Sequence, residues 1–369
     1  MKLPPFSLEH WLAIYEHATP PIRFNLGSSA GPRWKLGELL ALEDGFAARL
    51  DETPLGYAPA AGHPALRRAI AALTNSDPES VIVTTGASEA MSILFCLSAE
   101  PGTNVVLPNA AFPAFGAVAK AWGHEVRTYA LRRDDGFRFS TQRVLDIVDG
   151  NTGLVLVNTP HNPTGSVATR SQIETLAHDL RTRDIPLVVD QVYHPLYFGA
   201  APAPINDVDN VIVVGDMSKA LSLPGLRMGW IIDANAERRS RAVDARGYFT
   251  VSGSPVLEAI AAHVLRHRDV VFARLNAVAS ANLASLSTCI DEHDELLAWV
   301  RPQGGTIAFP WFTDGRDTRA FCTELASAGV LIVPGDCFGA PEHVRIGFGA
   351  QADGFAEALD IISQILRTR

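Results

Sequence analysis

Residues 153–219 read GLVLVNTPHNPTGSVATRSQIETLAHDLRTRDIPLVVDQVYHPLYFGAAPAPINDVDNVIVVGDMSK. Three apolar runs stand out in it: GLVLVN (153–158), PLVVD (186–190) and NVIVVG (210–215). Each is short, rich in aliphatic residues and bounded by turn formers. Runs without polar alternation suit strands buried on both faces of a parallel sheet. Between the first two, TRSQIETLAHDLRT (169–182) opens on a Thr169 cap and puts Ile173, Leu176 and Leu180 on one helical face. A strand, a helix and a second strand in that order predict a crossover helix packed on a sheet.

The same alternation extends outward. Toward the N-terminus, VIVTT (81–85) ends at Gly86 and leads into a helical stretch through Leu97, and NVVLP (104–108) leads into another at 112–122. Ahead of them, 62–74 carries Leu66, Ile70 and Leu73 on one helical face. The prediction is an α/β domain with a mainly parallel sheet over 46–268. Beyond it the pattern changes: a long helix at 269–290, then TIAFPWF (306–312), a helix near 317–328, VLIVP (330–334), HVRIGF (343–348) and a last helix at 353–367. This predicts a small α+β domain at 269–369. Residues 1–45, with one amphipathic helix around Leu8–Tyr15, are too short to fold alone and are expected to join the small domain.

Composition narrows the function. The 369 residues are 47% hydrophobic and only 19% charged, with a formal net charge of -9. That is a well-cored globular chain, and its acidic balance argues against a nucleic-acid partner. Cys96, Cys289, Cys322 and Cys337 form no C-x-x-C pair, so neither a zinc site nor a disulfide framework is expected. Met1-Lys2-Leu3-Pro4-Pro5 does not read as a leader, and no run of 18 or more apolar residues suggests a membrane span. The cytoplasm is the expected compartment.

Open parallel sheets bind ligands outside the carboxyl ends of their strands. After VIVTT comes Gly86-Ala87-Ser88-Glu89 at a helix start, an anion-binding arrangement. After GLVLVN comes Thr159-Pro160-His161-Asn162-Pro163-Thr164-Gly165. PLVVD ends in Asp190, with Tyr193 close behind. After NVIVVG come Asp216-Met217-Ser218-Lys219 and Gly225-Leu226-Arg227-Met228-Gly229. Singly, each has a plain explanation as a cap, a turn or a solvated charge. Together they suit a phosphorylated aldehyde cofactor used as an electron sink. A lysine amine can form a Schiff base with it, a carboxylate keeps its ring nitrogen protonated, and a helix N-terminus with Ser and Arg holds its phosphate.

These pieces, with Tyr57…Gly62…Leu66-Arg67 before them and Val344-Arg345-Ile346-Gly347-Phe348 after, stand in the order found in a known family. The sequence resembles the class I/II aminotransferases, pyridoxal-phosphate-dependent enzymes of fold type I. The resemblance implies a seven-stranded, mainly parallel sheet with helices on both faces, and pyridoxal 5'-phosphate as cofactor. It implies that Lys219 holds the cofactor and moves the Cα proton, and that Asp190 pairs with the ring nitrogen. Asn162 and Tyr193 would bond the ring hydroxyl oxygen, and Phe112 would stack on the ring, unless it is ordinary core. Ala87, Ser88, Ser218 and Arg227 would grip the phosphate, and Tyr57 would reach the phosphate in the neighbouring subunit. That reach implies a homodimer with shared active sites. Arg345 would bind the substrate α-carboxylate in bidentate fashion, with Gly27 allowing close backbone approach.

Two departures from the family pattern stand out. Asp216 occupies a position where Ser or Thr commonly touches phosphate, so it either turns away or pairs with a base such as Arg227. The Gly27-Ser28-Ser29 stretch lacks the usual acidic-proline continuation. Both features resemble capreomycidine-synthase-like members of the family. The expected reaction is therefore amino transfer between an amino acid and a 2-oxo acid. The alternative is elimination, replacement or cyclisation at the β- or γ-carbon. A non-catalytic cofactor-binding protein is a third reading; fewer than thirty residues precede Gly27, too few for a fused helix-turn-helix. His293, among Asp291, Glu292, Asp294 and Glu295, is read as part of a solvated acidic turn rather than a metal ligand. His161 and His194 are read as scaffold.

Overall fold

The computed structural model describes residues 5–368; Met1–Pro4, on which part of the leader reading rests, lie outside them. Seven strands form the central sheet. Their order across it is Val81–Thr84, Gly229–Asp233, Val211–Asp216, Leu187–Asp190, Thr152–Asn158, Asn104–Pro108 and Glu125–Tyr129. All run parallel except Gly229–Asp233, which is antiparallel to both of its neighbours. The apolar runs are strands because their side chains alternate between two dry faces. Val81, Val83, Val155, Val157, Val189 and Val213 point into one core, and Ile82, Leu154, Leu156, Val188, Ile212 and Val214 into the other.

The crossover helices start where the sequence caps them. Thr169 accepts from Gln172 N while the Gln172 side chain reaches back, a capping box opening Arg170–Arg181. Pro64 stands in the first turn of Pro64–Thr74, where its missing N–H costs nothing. Two strands of the sheet escaped the sequence reading. Glu125–Tyr129 is an edge strand with only Tyr129 buried, so it shows no apolar run. Gly229–Asp233 comes so closely after a Gly-rich turn that the turn obscured it.

The C-terminal part has its own core. TIAFPWF is not one strand: Pro310 separates Ile307–Ala308, paired with Ile346 and Gly347, from Trp311–Phe312, paired with Leu297 and Ala298. VLIVP likewise divides, Val330–Leu331 pairing with Phe24–Asn25 and Val333–Pro334 with Val344 and Arg345. Of the N-terminal segment, Leu8, Trp11, Phe24 and Leu26 lie in this core, whereas Leu39 lies in the core under the large sheet. The 24-residue helix Arg268–Asp291 ties the two together, with Val271 in one core and Leu275, Ala279, Leu283 and Leu286 in the other. It is the one described helix long and apolar enough to cross a bilayer, but its apolar stripe is occupied by these cores.

Candidate active site

The carboxyl ends of the parallel strands open onto a cavity of about 310 Å³. Ala87, Ser88, Phe112, Asn162, Asp190, Tyr193, Ser218, Lys219 and Arg227 all line it. Sequence reasoning named each of these nine.

One wall is the turn after Val81–Thr84. Gly86 has φ +75°, and a Cβ there would lie 2.7 Å from an Arg227 guanidinium nitrogen, so the arginine covers a turn that only glycine leaves open. Helix Gly86–Leu97 starts at this point, presenting unpaired N–H groups beside Ser88. Ser218, 5% exposed, and Arg227 complete an anion cradle.

The floor is formed by Asp190 and the asparagines. Asp190 ends its strand, is 4% exposed, and accepts from Val192 N at 3.1 Å. Burial pushes its carboxyl up to about 7; nearby Asp216 adds to the rise and Lys219 opposes it. A cation against Asp190, such as a protonated ring nitrogen, would reverse that shift. Asn158 organises the adjacent loop: its Oδ1 accepts from Asn162 N at 2.7 Å and its Nδ2 donates to Asp190 O at 3.3 Å. The Tyr193 hydroxyl is buried without a well-formed hydrogen bond, although Ser29 lies close enough to act on it, and burial raises its pKa to about 12.

Lys219 Nζ donates to Ser29 Oγ at 2.9 Å. Desolvation lowers the lysine pKa, against the pull of Asp216. Asp216 itself is 8% exposed and lines the cavity, its Oδ1 accepting from Ser218 N at 2.9 Å. It therefore does not turn away, and among the described residues no ion pair joins it to Arg227. Burial raises its pKa, with Lys219 the chief compensating charge.

Arg345 is 2% exposed and sits beside the cavity. It donates to Gly27 O at 2.7 Å and to Asn162 Oδ1 at 3.5 Å, while its Nε has no partner. Gly27 is reached because the N-terminal coil lies against the strand Val344–Gly347, where Gly347 N donates to Leu26 O. A side chain on Gly347 would meet Ser28 O at 1.9 Å. Tyr57 is apart from all this: it is 88% exposed and does not line the cavity of its own chain.

Sequence reasoning left out Glu9, Ser29 and Asn158. Asn158 ends an apolar run and could have been found by the same rule as Asp190. Glu9 and Ser29 arrive from the N-terminal segment, and no local pattern shows where that segment docks. His161 and His194 bond Thr164 and Tyr197 as scaffold would. His293 departs from the solvated-turn reading: it is 8% exposed and buried.

The residues fit pyridoxal phosphate on their own chemistry: a glycine-lined cradle, a buried carboxylate needing a cation, an unbonded phenol and an amine at one cavity. Such a site on such a sheet defines a pyridoxal-phosphate-dependent enzyme of fold type I. The chain belongs to the family described as aminotransferase class I and II, whose sequence model matches residues 37–362. Capreomycidine synthase of Streptomyces vinaceus is 33% identical over 374 residues, covering 99% of this chain and 95% of that protein. A solved pyridoxal-phosphate-dependent aminotransferase from Streptococcus suis matches with a TM-score of 0.91 at 29% identity, over 100% of this chain and 99% of that one. The pyridoxal-phosphate-dependent cyclase OrfR matches with a TM-score of 0.90, also at 29% identity, over 100% and 98%.

Proposed function

We propose that the protein moves an amino group between an amino acid and a 2-oxo acid. The observation that supports this reading is a buried amine, Lys219, that feels both the Arg345 guanidinium and the Asp190 carboxylate, to which we assign binding of the substrate carboxylate and pairing with the cofactor ring. Arg345 holds the α-carboxylate of the substrate, with its unpartnered Nε among the donors. That contact orients the Cα–H bond toward Lys219. The lysine, its charged form disfavoured by burial, accepts the Cα proton and returns it at the next atom. With the cofactor bound, Asp190 would be ionised by pairing with the ring nitrogen's charge, and Tyr193 with Asn162 would bond the ring hydroxyl oxygen. Bound pyridoxal phosphate supplies an electron sink for the pair left at Cα and a temporary carrier for the amino group. Phe112, held edge-on by Phe6 and Phe115, covers one side of the cavity.

A second reading keeps the proton transfer and changes the later chemistry to elimination, replacement or cyclisation on the substrate side chain. It is favoured by the full-length similarity to capreomycidine synthase and by the carboxylates Glu9 and Asp216 lining the cavity, which suit a cationic substrate side chain. Product analysis with a panel of amino acids separates the two. A 2-oxo acid formed one-to-one with a new amino acid supports transfer. Ammonia, or a cyclised product with no acceptor required, overturns it in favour of side-chain chemistry. We also propose a homodimer in which the exposed Tyr57 completes the partner's cradle.

A further inference from the structure

Away from the cavity, Glu43, His263 and His267 bring three ligand-type atoms within 4.8 Å of one another. His263 lies on helix Pro255–Arg266 and His267 comes one turn later, so the two rings share a face at i and i+4. Glu43 comes from the connection between the short helices Leu36–Leu40 and Phe46–Asp51. The sequence offers no signal for this grouping, because the carboxylate is more than two hundred residues from the imidazoles.

Hydrogen bonds orient both rings. His263 Nε2 lies 2.9 Å from Leu39 O, and His267 Nδ1 lies 2.9 Å from His263 O. A carbonyl only accepts, so each of these nitrogens carries the proton. In a neutral ring the other nitrogen then holds a bare lone pair. Those are His263 Nδ1 and His267 Nε2, at 3.7 Å and 4.0 Å from Glu43 Oε2. His263 is fully buried and its Nδ1 has no hydrogen-bond partner. An unpartnered buried nitrogen aimed at a carboxylate and a second lone pair needs a reason.

We propose that Glu43, His263 and His267 form a binding site for a zinc-class divalent cation. Two imidazole nitrogens and one carboxylate oxygen are a standard donor set for such an ion, and water completes a tetrahedron. Zinc–ligand bonds of about 2.0–2.2 Å place donor atoms about 3.4 Å apart, so the three atoms, now within 4.8 Å of one another, must draw together by up to roughly 1.4 Å, which the partly exposed Glu43 and His267 can supply. The carbonyls of Leu39 and His263 act as the outer partners that fix ring orientation in such sites. Two cations already face Glu43. Arg49 bonds its Oε1, while Arg266 pairs with Oε2 at 3.8 Å through a half-exposed side chain that can swing into solvent. Phe46, stacked on His263 at 3.7 Å, closes one side against water. The ion would clamp the N-terminal segment, on its way to Tyr57, onto the large domain.

The test uses untagged holoenzyme stripped by chelation and dialysed against zinc or cobalt(II). One metal per chain by elemental analysis is expected, with cobalt ligand-field bands and a higher melting temperature on zinc addition. Glu43→Gln and His267→Gln, both at partly exposed positions, should each weaken binding by at least about tenfold and abolish the zinc-dependent rise, with unchanged circular dichroism. No stoichiometric binding in metal excess, or wild-type binding in both variants, overturns the site.

Discussion

Gly229→Ala tests the phosphate cradle through its geometry. Gly229 begins the antiparallel strand and pairs with both Thr84 and Asp216, at the edge where the cavity opens. A Cβ there would lie 2.5 Å from Gly86 C, 2.7 Å from Ala87 N and 2.8 Å from Gly86 Cα. All three are backbone atoms of the turn that begins helix Gly86–Leu97. Carbon contacts are comfortable near 3.5–4.0 Å, so the turn must retreat by about an ångström, carrying its N–H groups away from the phosphate. Overpacking of this kind costs about 1–3 kcal/mol. Expressed in cofactor binding, at about 1.4 kcal/mol per factor of ten, that is a loss of roughly 5- to 150-fold in affinity. Titrating cofactor-free protein with pyridoxal phosphate and following the visible absorption band measures it. Gly37→Ala is the control, since no atom lies within 4 Å of its Cβ and its φ is ordinary. Wild-type affinity in Gly229→Ala would refute the assignment of this turn to the phosphate.

Three further outcomes rest on the electrostatics. Without cofactor, Asp190 has its carboxyl raised from 3.8 to about 7 by burial, so the native state holds a proton that the unfolded chain has released. Stability should therefore fall as pH rises between these values, by as much as about 4 kcal/mol, and denaturant midpoints for Asp190→Asn should lack that decline. Asp216 is the largest charge favouring protonated Lys219, so Asp216→Asn should move the pH midpoint of the visible band of the holoenzyme downward. Arg345→Lys keeps the charge but loses the planar fork, and kcat/KM for the amino-acid substrate should drop by roughly 10- to 100-fold while cofactor affinity holds.

The reach of the sequence is itself explained by burial. Strands dry on both faces read as unbroken apolar runs, so their ends, and with them Asp190 and the Asp216–Lys219 segment, were legible from spacing alone. The edge strand Glu125–Tyr129 carries polar side chains because much of it meets solvent, and it left no such trace. Arg345 and Tyr57 came from resemblance, since neither stands at the end of a parallel strand. Ser29 reaches Lys219 where Gly347 lets the N-terminal coil lie flat against its strand, and Glu9 reaches the cavity from helix Ser7–Ile14. Nothing within that coil records the contact. The cluster of Glu43 with His263 and His267 depends in the same way on packing between distant segments.

The central claim is that Lys219 binds the cofactor covalently. The chain has only four lysines, Lys2, Lys35, Lys120 and Lys219, which makes the test unambiguous. Borohydride reduction of the holoenzyme and then peptide mass mapping should show one added cofactor per chain, confined to the peptide carrying Lys219. A label on any of the other three, or none after reconstitution with pyridoxal phosphate, would contradict the account.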